Sequence, residues 1–320
     1  MKINILNKAI RGAFYVSCFA GLSLTQLQAA DYVANTGQHY IYNNIIDTGS
    51  NIDAFNGGRL DFNSSTFYDA SLSVSSNTAE SWIGVFDSTV YADRVLIVGD
   101  GVYSQGIAFE NSSLYVTNDI IIGQRGSFNM FNGNLKANVS GFNWLNRGGM
   151  HLQDSNFEGT VQGLEHMSVA GTSTWKITGY SSLSNLDIYS EGSLTIEFDL
   201  ADEHGIIHLG NLYIHDDATL TLNISLSDIF IEQMISWGDY GSSYIFNAIT
   251  TSNYWEPGTF GDGSLNINML TSNSNYKWDV THLGDDFYEF SNFEKIPEPS
   301  TYAMIFGVLA LGLAIYRRRK

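Results

Sequence analysis

Cysteine and proline are scarce in this chain of 320 residues. The only cysteine is Cys18, and the three prolines are Pro257, Pro297 and Pro299. Without a second thiol the chain cannot form an internal disulfide, so its stability must come from packing and backbone pairing. The shortage of proline, together with 31 glycines, fits many short strands that are joined by tight turns.

Positive charge is also scarce, because the chain has 15 basic and 33 acidic residues. Seven of the 15 basic residues lie in the end segments 1–30 and 317–320, which leaves eight cations against 33 anions between them, a net charge of −25. A body this acidic repels nucleic acids and anionic lipids, so both are poor candidates for partners, and we predict no nucleic-acid partner. We expect the carboxylates simply to lie on surface turns. We therefore predict no bound metal and no cofactor.

A long apolar run is found only near each end of the chain. Near the N-terminus, three basic residues precede or adjoin an apolar stretch at 13–24, and small residues follow at Ala29 and Ala30. This pattern predicts a secretory signal peptide over residues 1–30, which the secretion machinery recognises and signal peptidase cuts after Ala29 or Ala30. Cys18 would leave with the signal; lipoprotein acylation at Cys18 is the alternative, and Tyr15 departs from that pattern.

The C-terminal end has three parts in order. Pro297-Glu298-Pro299 comes first, an uncharged apolar segment runs from Tyr302 to Tyr316, and four cations, Arg317, Arg318, Arg319 and Lys320, close the chain. Cations after an apolar helix are retained in the cytoplasm, so the pattern predicts a membrane anchor with the body outside the cytoplasm. The apolar segment is shorter than the ~20 residues of a stable span, which suits a temporary anchor.

This tail resembles the PEP-CTERM sorting signal of Gram-negative bacteria. The resemblance covers only Pro297 to Lys320, and it implies that an exosortase-type sorting protease cleaves near Pro297-Glu298-Pro299. It further implies export across the inner membrane, transient anchoring, and then a place at the cell surface or outside the cell. Proteins with this signal are associated with exopolysaccharide and biofilms. The alternative is a plain single-span tail anchor.

Between the two ends the sequence repeats. The segment Phe62–Tyr68 recurs as Phe86–Tyr91 and as Phe109–Tyr115, and Val95–Gly99 matches Asp119–Gly123 at an offset of 24. Weaker copies follow at Phe131–Leu135, Leu152–Phe157, Ser193–Ile196 and Thr219–Leu222. Strands this short bury too little surface alone, but they pair well when stacked ~4.8 Å apart on copies of themselves.

The repeat predicts an all-β fold, a β-solenoid over residues 31–226 with coils of about 22–24 residues. The body is thereby similar to the β-solenoids of autotransporters. A β-sandwich or jelly roll, in which strands also recur at regular intervals, is the alternative. Gly99, Gly123 and Gly133 are candidate corners, where glycine would supply a positive φ.

A solenoid needs protection at its ends, because an open edge pairs with other chains. We predict that the aromatic, irregular stretch Tyr32–Asp47 covers the first coil. Residues 227–295 form a β-rich cap with one short helix, Ser227–Gly238, capped by Ser227. The predicted strands of the cap are Tyr244–Ile249, Ser264–Leu270, and a hairpin of Tyr276–His282 with Phe287–Phe290.

Candidate chemistry in the body is sparse. His204, His208 and His215 form the only histidine cluster, and ordinary polar surface explains them more simply than a metal does. His151 and Asp154 resemble an acid–base pair of a polysaccharide-cleaving enzyme, although such a pair is weak evidence. Two turns, Gly99-Asp100-Gly101 and Gly261-Asp262-Gly263, lack the spaced carboxylates of a calcium loop. We therefore predict no catalytic residue and no metal ligand.

Three functions remain open. The first is a non-enzymatic surface or matrix protein that presents aromatic and polar ladders, with exopolysaccharide as a partner. The second is a polysaccharide-active enzyme on a β-helix, which requires a cleft of convergent carboxylates or basic groups on one face. The third is a passive stalk, which requires that no face carries an aromatic stripe or a pocket.

Overall fold

The computed structural model describes residues 31–76, 78–99, 103–141, 148–200, 207–236, 243–247, 249–251, 263–272, 274–284, 287–296, 306–311 and 317. The predicted signal peptide with Ala29 and Ala30, the Pro297-Glu298-Pro299 motif, and residues 318–320 lie outside this description. Residues 306–311 and Arg317 are helical and exposed. Within the described ranges, no helix combines the length and the apolarity that a membrane crossing requires.

The body consists almost entirely of strands. The first twelve are β1 (Asp31–Ala34), β2 (His39–Asn43), β3 (Ile46–Thr48), β4 (Asn51–Phe55), β5 (Arg59–Asn63), β6 (Thr66–Ser76), β7 (Ser81–Phe86), β8 (Thr89–Gly99), β9 (Gln105–Glu110), β10 (Ser113–Ile122), β11 (Gly126–Phe131) and β12 (Asn134–Gly141). The next eight are β13 (Gly149–Gln153), β14 (Asn156–Gly159), β15 (Val161–Ala170), β16 (Thr172–Ile177), β17 (Ser181–Ile188), β18 (Ser193–Leu200), β19 (Ile207–Ile214) and β20 (Thr219–Leu226). Helix α1 (Asp228–Ser236) follows, and then β21 (Ser243–Asn247), β22 (Ile249–Thr251), β23 (Ser264–Met269), β24 (Tyr276–Gly284) and β25 (Phe287–Lys295).

The strands stack as a parallel β-solenoid of about eight turns, which confirms the predicted all-β solenoid. Three parallel ladders run along it, and we call them faces A, B and C. Face A contains β2, β5, β7, β9, β11 and β13, followed by the second halves of β15, β17 and β19. Antiparallel pairing, which a sandwich or jelly roll requires, occurs in named strands only within the small sheet β21-β25-β24.

Faces B and C share several long strands. Face B contains β3, the first halves of β6, β8, β10 and β12, and then β14, β16, β18, β20 and β23. Face C contains β1, β4, the second halves of β6, β8, β10 and β12, the first halves of β15, β17 and β19, and β22. The register shifts inside β6, β8 and β10 mark the bends from face B to face C.

The coils differ in length. Hydrogen bonds between equivalent corner positions of successive coils join residues that are 20, 23, 24, 22 and 18 positions apart. The predicted period of 22–24 residues therefore describes the middle coils, and other coils are shorter.

Because side chains alternate along each strand, every second residue points into the core. On face A this creates a continuous buried column of Phe62, Val85, Phe109, Met130 and Leu152.

Two predicted alignments of the repeat are wrong by one residue. The structure pairs Phe62 with Val85 rather than Phe86, and Val95 with Ile120 rather than Asp119. A slip of one residue turns a side chain to the opposite side of the sheet. The observed register keeps Val95 and Ile120 in the core and leaves Asp119 partly exposed, so burial of apolar side chains sets the register.

The prediction of glycine corners with positive φ is also wrong. Gly99, Gly123 and Gly133 do not have positive φ, and the left-handed corner positions of successive coils are polar residues instead. These are Asn44, Ser64, Asp87, Asn111, Asn132 and Asp154, with φ between 49° and 57°. Asn and Asp tolerate this region because their short polar side chains bond locally.

The N-terminal stretch does not form an irregular cover. Residues of Tyr32–Asp47 belong to β1, β2 and β3, which form the first coil in register with β4, β5 and β6. Their tyrosines still fill the open end of the core, because Tyr32 and Tyr42 pack against Phe62 at centroid distances of 5.4 Å and 5.2 Å.

The C-terminal region matches its prediction more closely. Helix α1 forms as expected, and the Ser227 hydroxyl accepts a 3.2 Å hydrogen bond from the Phe230 nitrogen, as an N-cap does. β24 and β25 pair as the predicted hairpin. β22 and β23, however, pair in parallel with β19 and β20, so the ladder runs past residue 226, where we expected the solenoid to end.

Candidate functional site

The middle of face A carries a hollow that is produced by small residues. One outward column of this face runs through Trp82, Gly106, Ser127, Gly149 and His166 in successive coils. Gly106 must be glycine, because a Cβ there would collide with the six-membered ring of Trp82. The indole therefore lies over Gly106 and forms one wall of the hollow, while His166 stands at the other end.

The hollow is an open cleft of about 700 Å³. Its walls come from six coils and are formed by Trp82, Ser104, Arg125, Gly126, Ser127, Gly149, Glu165, His166 and Asn185. The cleft thus combines one guanidinium, one carboxylate, one imidazole and one indole with several small polar groups. A concave surface with a few convergent polar groups is the usual form of a ligand site.

The polar groups of the cleft are held by the backbone. Arg125 has a positive φ of 51° in the turn before β11, where the Gly126 nitrogen donates a 2.9 Å hydrogen bond to the Gly123 oxygen. The Asn185 side chain donates to the backbone oxygen of Glu165 at 2.9 Å, and its own oxygen accepts from Asn211 at 2.9 Å. These bonds fix the cleft wall at the bend of β15.

A row of four rings runs beside the cleft, approximately along the solenoid axis. The ring centroids of Phe131 and His151 are 5.6 Å apart, those of His151 and Tyr189 are 6.3 Å apart, and those of Tyr189 and His215 are 5.8 Å apart. The rings are tilted by 52°, 36° and 56° relative to one another, so they do not stack face to face. We call these four residues the ring row.

Two members of the ring row are fixed by hydrogen bonds. The His151 Nδ1 lies 2.9 Å from the Ser168 hydroxyl, and the His215 Nε2 lies 2.6 Å from the Asp187 carboxylate. Burial lowers the pKa of His151, and the neighbouring His166 lowers it further. His151 therefore contributes a neutral ring near pH 7.

Face B also carries aromatic residues, but their arrangement is different. Tyr68, Tyr91 and Tyr115 stack in successive coils with centroid distances of 5.3 Å and 5.0 Å and interplanar angles of 6° and 14°. Each ring face of the central tyrosine is covered by a neighbour, so this ladder offers mainly edges and hydroxyls. The tilted rings of the ring row are the better platform for a ligand that packs on ring surfaces.

The histidines and acids that the sequence singled out form neither an acid–base pair nor a metal cluster among the described residues, although His151 and His215 both belong to the ring row. His204 lies outside the described residues. His208 lies in the part of β19 that belongs to face C, whereas His215 comes directly after the part of β19 that belongs to face A. His151 pairs with Ser168, whereas Asp154 accepts a bond from the Thr172 nitrogen, so they are not an acid–base pair. No group of three or more metal-ligating side chains occurs in the described part of the chain. Asp100 and Asp262 fall outside it.

The cleft is not among the candidate sites that the sequence predicts. Its members, such as Trp82, Arg125 and Glu165, are separated by many residues and become neighbours only through stacking. Once the register of face A is fixed, the outward column with Gly106 and Gly149 is a detectable signal for a hollow.

Comparisons with known proteins do not identify the chain. No protein-family model matches this sequence, and no curated protein matches it significantly.

Proposed function

We propose that this chain is an exported, non-enzymatic protein of the bacterial cell surface or extracellular matrix, which binds exopolysaccharide along face A. The ring row beside the open cleft is the observation that carries this proposal. Saccharide rings have an apolar face and a polar rim, and they match a surface with tilted rings and convergent polar groups. A passive stalk would not require such a surface.

Export and sorting complete the proposal. The signal peptide at 1–30 would direct the chain out of the cytoplasm, and the segment 296–320 would hold it for an exosortase-type protease. The net charge of −25 between residues 31 and 316 favours a neutral or cationic glycan over an anionic one. The resemblance of the tail to sorting signals of biofilm-forming bacteria suggests the cell's own exopolysaccharide as the ligand.

The test is retention of the exported protein on the exopolysaccharide of the producing cell. We expect Tyr189→Ala to weaken binding about tenfold or more, the effect of removing a central tyrosine from an interface. Tyr180→Ala is the matched control, because Tyr180 is 45% exposed and Tyr189 is 42% exposed, but Tyr180 lies outside the ring row. Absence of binding, or equal loss in both variants, would contradict the proposal.

A second candidate is a polysaccharide-active enzyme. The observation in its favour is that Arg125, Glu165 and His166 line one cleft, which provides basic and acidic groups together. The cleft-lining residues include one carboxylate, whereas glycoside hydrolysis ordinarily needs two, so elimination with His166 as base is the more suitable reaction. Release of unsaturated or reducing ends by the native protein, abolished in His166→Gln, would establish this function.

A further inference from the structure

The first coil of the solenoid has an open edge. Strands β1, β2 and β3 pair with β4, β5 and β6 respectively, and with no other strand in the described part of the chain. Their outer backbone groups therefore face away from the stack. Unpaired edges of this kind recruit strands from other chains unless they are protected.

The first coil lacks the usual devices that protect an edge. Residues 31–50 contain no proline, lysine or arginine, and their only acidic residues are Asp31 and Asp47. Asp47 is buried and accepts a 2.9 Å hydrogen bond from the Tyr32 hydroxyl, so it does not charge the surface. Exposed apolar side chains are concentrated here instead: Val33, Tyr40, Ile41 and Ile46.

Low charge at this end is significant for association with a second copy. Two bodies with a net charge of −25 each repel one another over most of their surfaces. The first coil is nearly uncharged, because His39 is paired with Asp61 at 2.7 Å and Asp31 is its only exposed carboxylate. Two copies can therefore approach one another at this end with little electrostatic repulsion.

The opposite end does not offer a matching surface. Helix α1 interrupts the last coil, so that Asn223 and its bonded partner Asn268 are 45 positions apart. Phe230, Ile231 and Phe290 of the cap region are buried in the same core as the solenoid. In the described part of the chain, only the first coil presents three strand edges in uninterrupted succession, so the two ends of the solenoid do not match and a head-to-tail stack is disfavoured.

We infer that the exported protein forms a head-to-head dimer, in which the first coils of two copies meet about a two-fold axis. The partner is a second copy because another solenoid end supplies three strand edges with the same cross-section. A closed two-fold interface also stops growth at two copies, unlike an open head-to-tail contact. The inference rests on the proposed removal of residues 1–30, which precede β1 directly.

The experiment measures the mass of the exported, processed protein in solution by light scattering and its N-terminus by mass spectrometry. We expect a dimer that begins at Ala30 or Asp31. Ile46→Lys should weaken the dimer at least tenfold, whereas Ile229→Lys, at the cap, should leave it intact. The pair is matched, because Ile46 is 71% exposed and Ile229 is 65% exposed.

Spin labels distinguish the orientation of the two copies. Labels at Thr36→Cys, in the first coil, should give a short distance between copies, and labels at Ile229→Cys a long one. A monomer, a dimer that Ile46→Lys leaves unchanged, or a short distance between the Ile229 labels would each overturn the inference. If mass spectrometry shows that residues 1–30 remain and the protein is monomeric, these residues cover the edge and the inference also fails. Exopolysaccharide binding is scored separately, so failure of the dimer leaves the proposed function standing.

Discussion

The hydroxyl oxygen of Ser112 accepts a 3.0 Å hydrogen bond from the backbone nitrogen of Ser88, 24 residues earlier in the chain. The same bond recurs one coil away, where the Ser88 hydroxyl accepts from the Ser65 nitrogen at 2.8 Å. Each of these hydroxyls also donates a hydrogen bond to the backbone oxygen two residues earlier in the chain, for example from Ser112 to Glu110 at 2.7 Å. Buried serines therefore satisfy the backbone in these coils, where the chain turns from face A to face B.

Ser112→Ala should destabilise the fold by about 1–3 kcal/mol, because it leaves the buried Ser88 nitrogen without an acceptor. Ser113→Ala is the adjacent control, since Ser113 points outward from face B and is partly exposed. Urea unfolding followed by circular dichroism measures both. Equal stability of the two variants would show that Ser112 does not support the corner.

Gly133 occupies the position that a serine holds in neighbouring coils, because there is no room for a side chain there. A Cβ at this position would collide with the Met130 sulfur and come within 2.5 Å of the Ser112 carbonyl oxygen. Gly133→Ala should therefore cost about 1–3 kcal/mol through overpacking. At Gly123 the nearest atom is the Ile97 oxygen at 3.1 Å, so Gly123→Ala should cost less. Thermal unfolding of both variants tests this ranking, and a larger loss at Gly123 would contradict it.

The solenoid could be predicted because its repeats share residue types that serve one purpose. Phenylalanine and serine recur near each corner, and the recurrence reveals the period. The exact register could not be predicted from identity alone, since Val95 matches Asp119 when letters are aligned but pairs with Ile120 in the fold. Burial decides the register, and burial depends on where each long strand bends.

The candidate site could not be predicted because it is made by stacking. Trp82 and His166 are separated by three intervening coils along face A, and nothing local to either marks it as functional. Conversely, His151 and Asp154 are close in sequence, but the corner directs them to different partners. Spacing along the chain is a poor guide to proximity when each coil returns to the same face.

Acid should destabilise the protein through His151. Burial and the neighbouring His166 lower the pKa of His151 below its ordinary value of 6.5, so the unfolded chain binds a proton more readily than the folded one. Stability is then highest above this ordinary value and falls as pH decreases below it. We expect the urea midpoint to fall between about pH 7 and pH 5, and to fall less in His151→Gln. His282→Gln removes an exposed histidine and is the control; an equal effect in both variants would contradict this assignment.

Sorting by the C-terminal segment is tested by replacing Pro297-Glu298-Pro299 with three alanines. If an exosortase-type protease reads this motif, the variant should accumulate at full length in the inner membrane, because the apolar segment and its four terminal cations are not removed. Cell fractionation followed by intact-mass measurement distinguishes the processed from the unprocessed chain. Pro257→Ala is the control, because it removes the only other proline and leaves the tail unchanged.

The triple-alanine variant and the Pro257→Ala control distinguish a failure of sorting from a failure of folding. A body that misfolds would be lost from every fraction, whereas a sorting failure leaves an intact solenoid attached to the membrane. The retained variant should therefore keep the thermal transition of the native body after detergent extraction. Unchanged release of the triple-alanine variant would show that the protease does not recognise the proline-containing motif. A plain tail anchor would not explain such release either, because an uncleaved anchor keeps the body attached to the membrane.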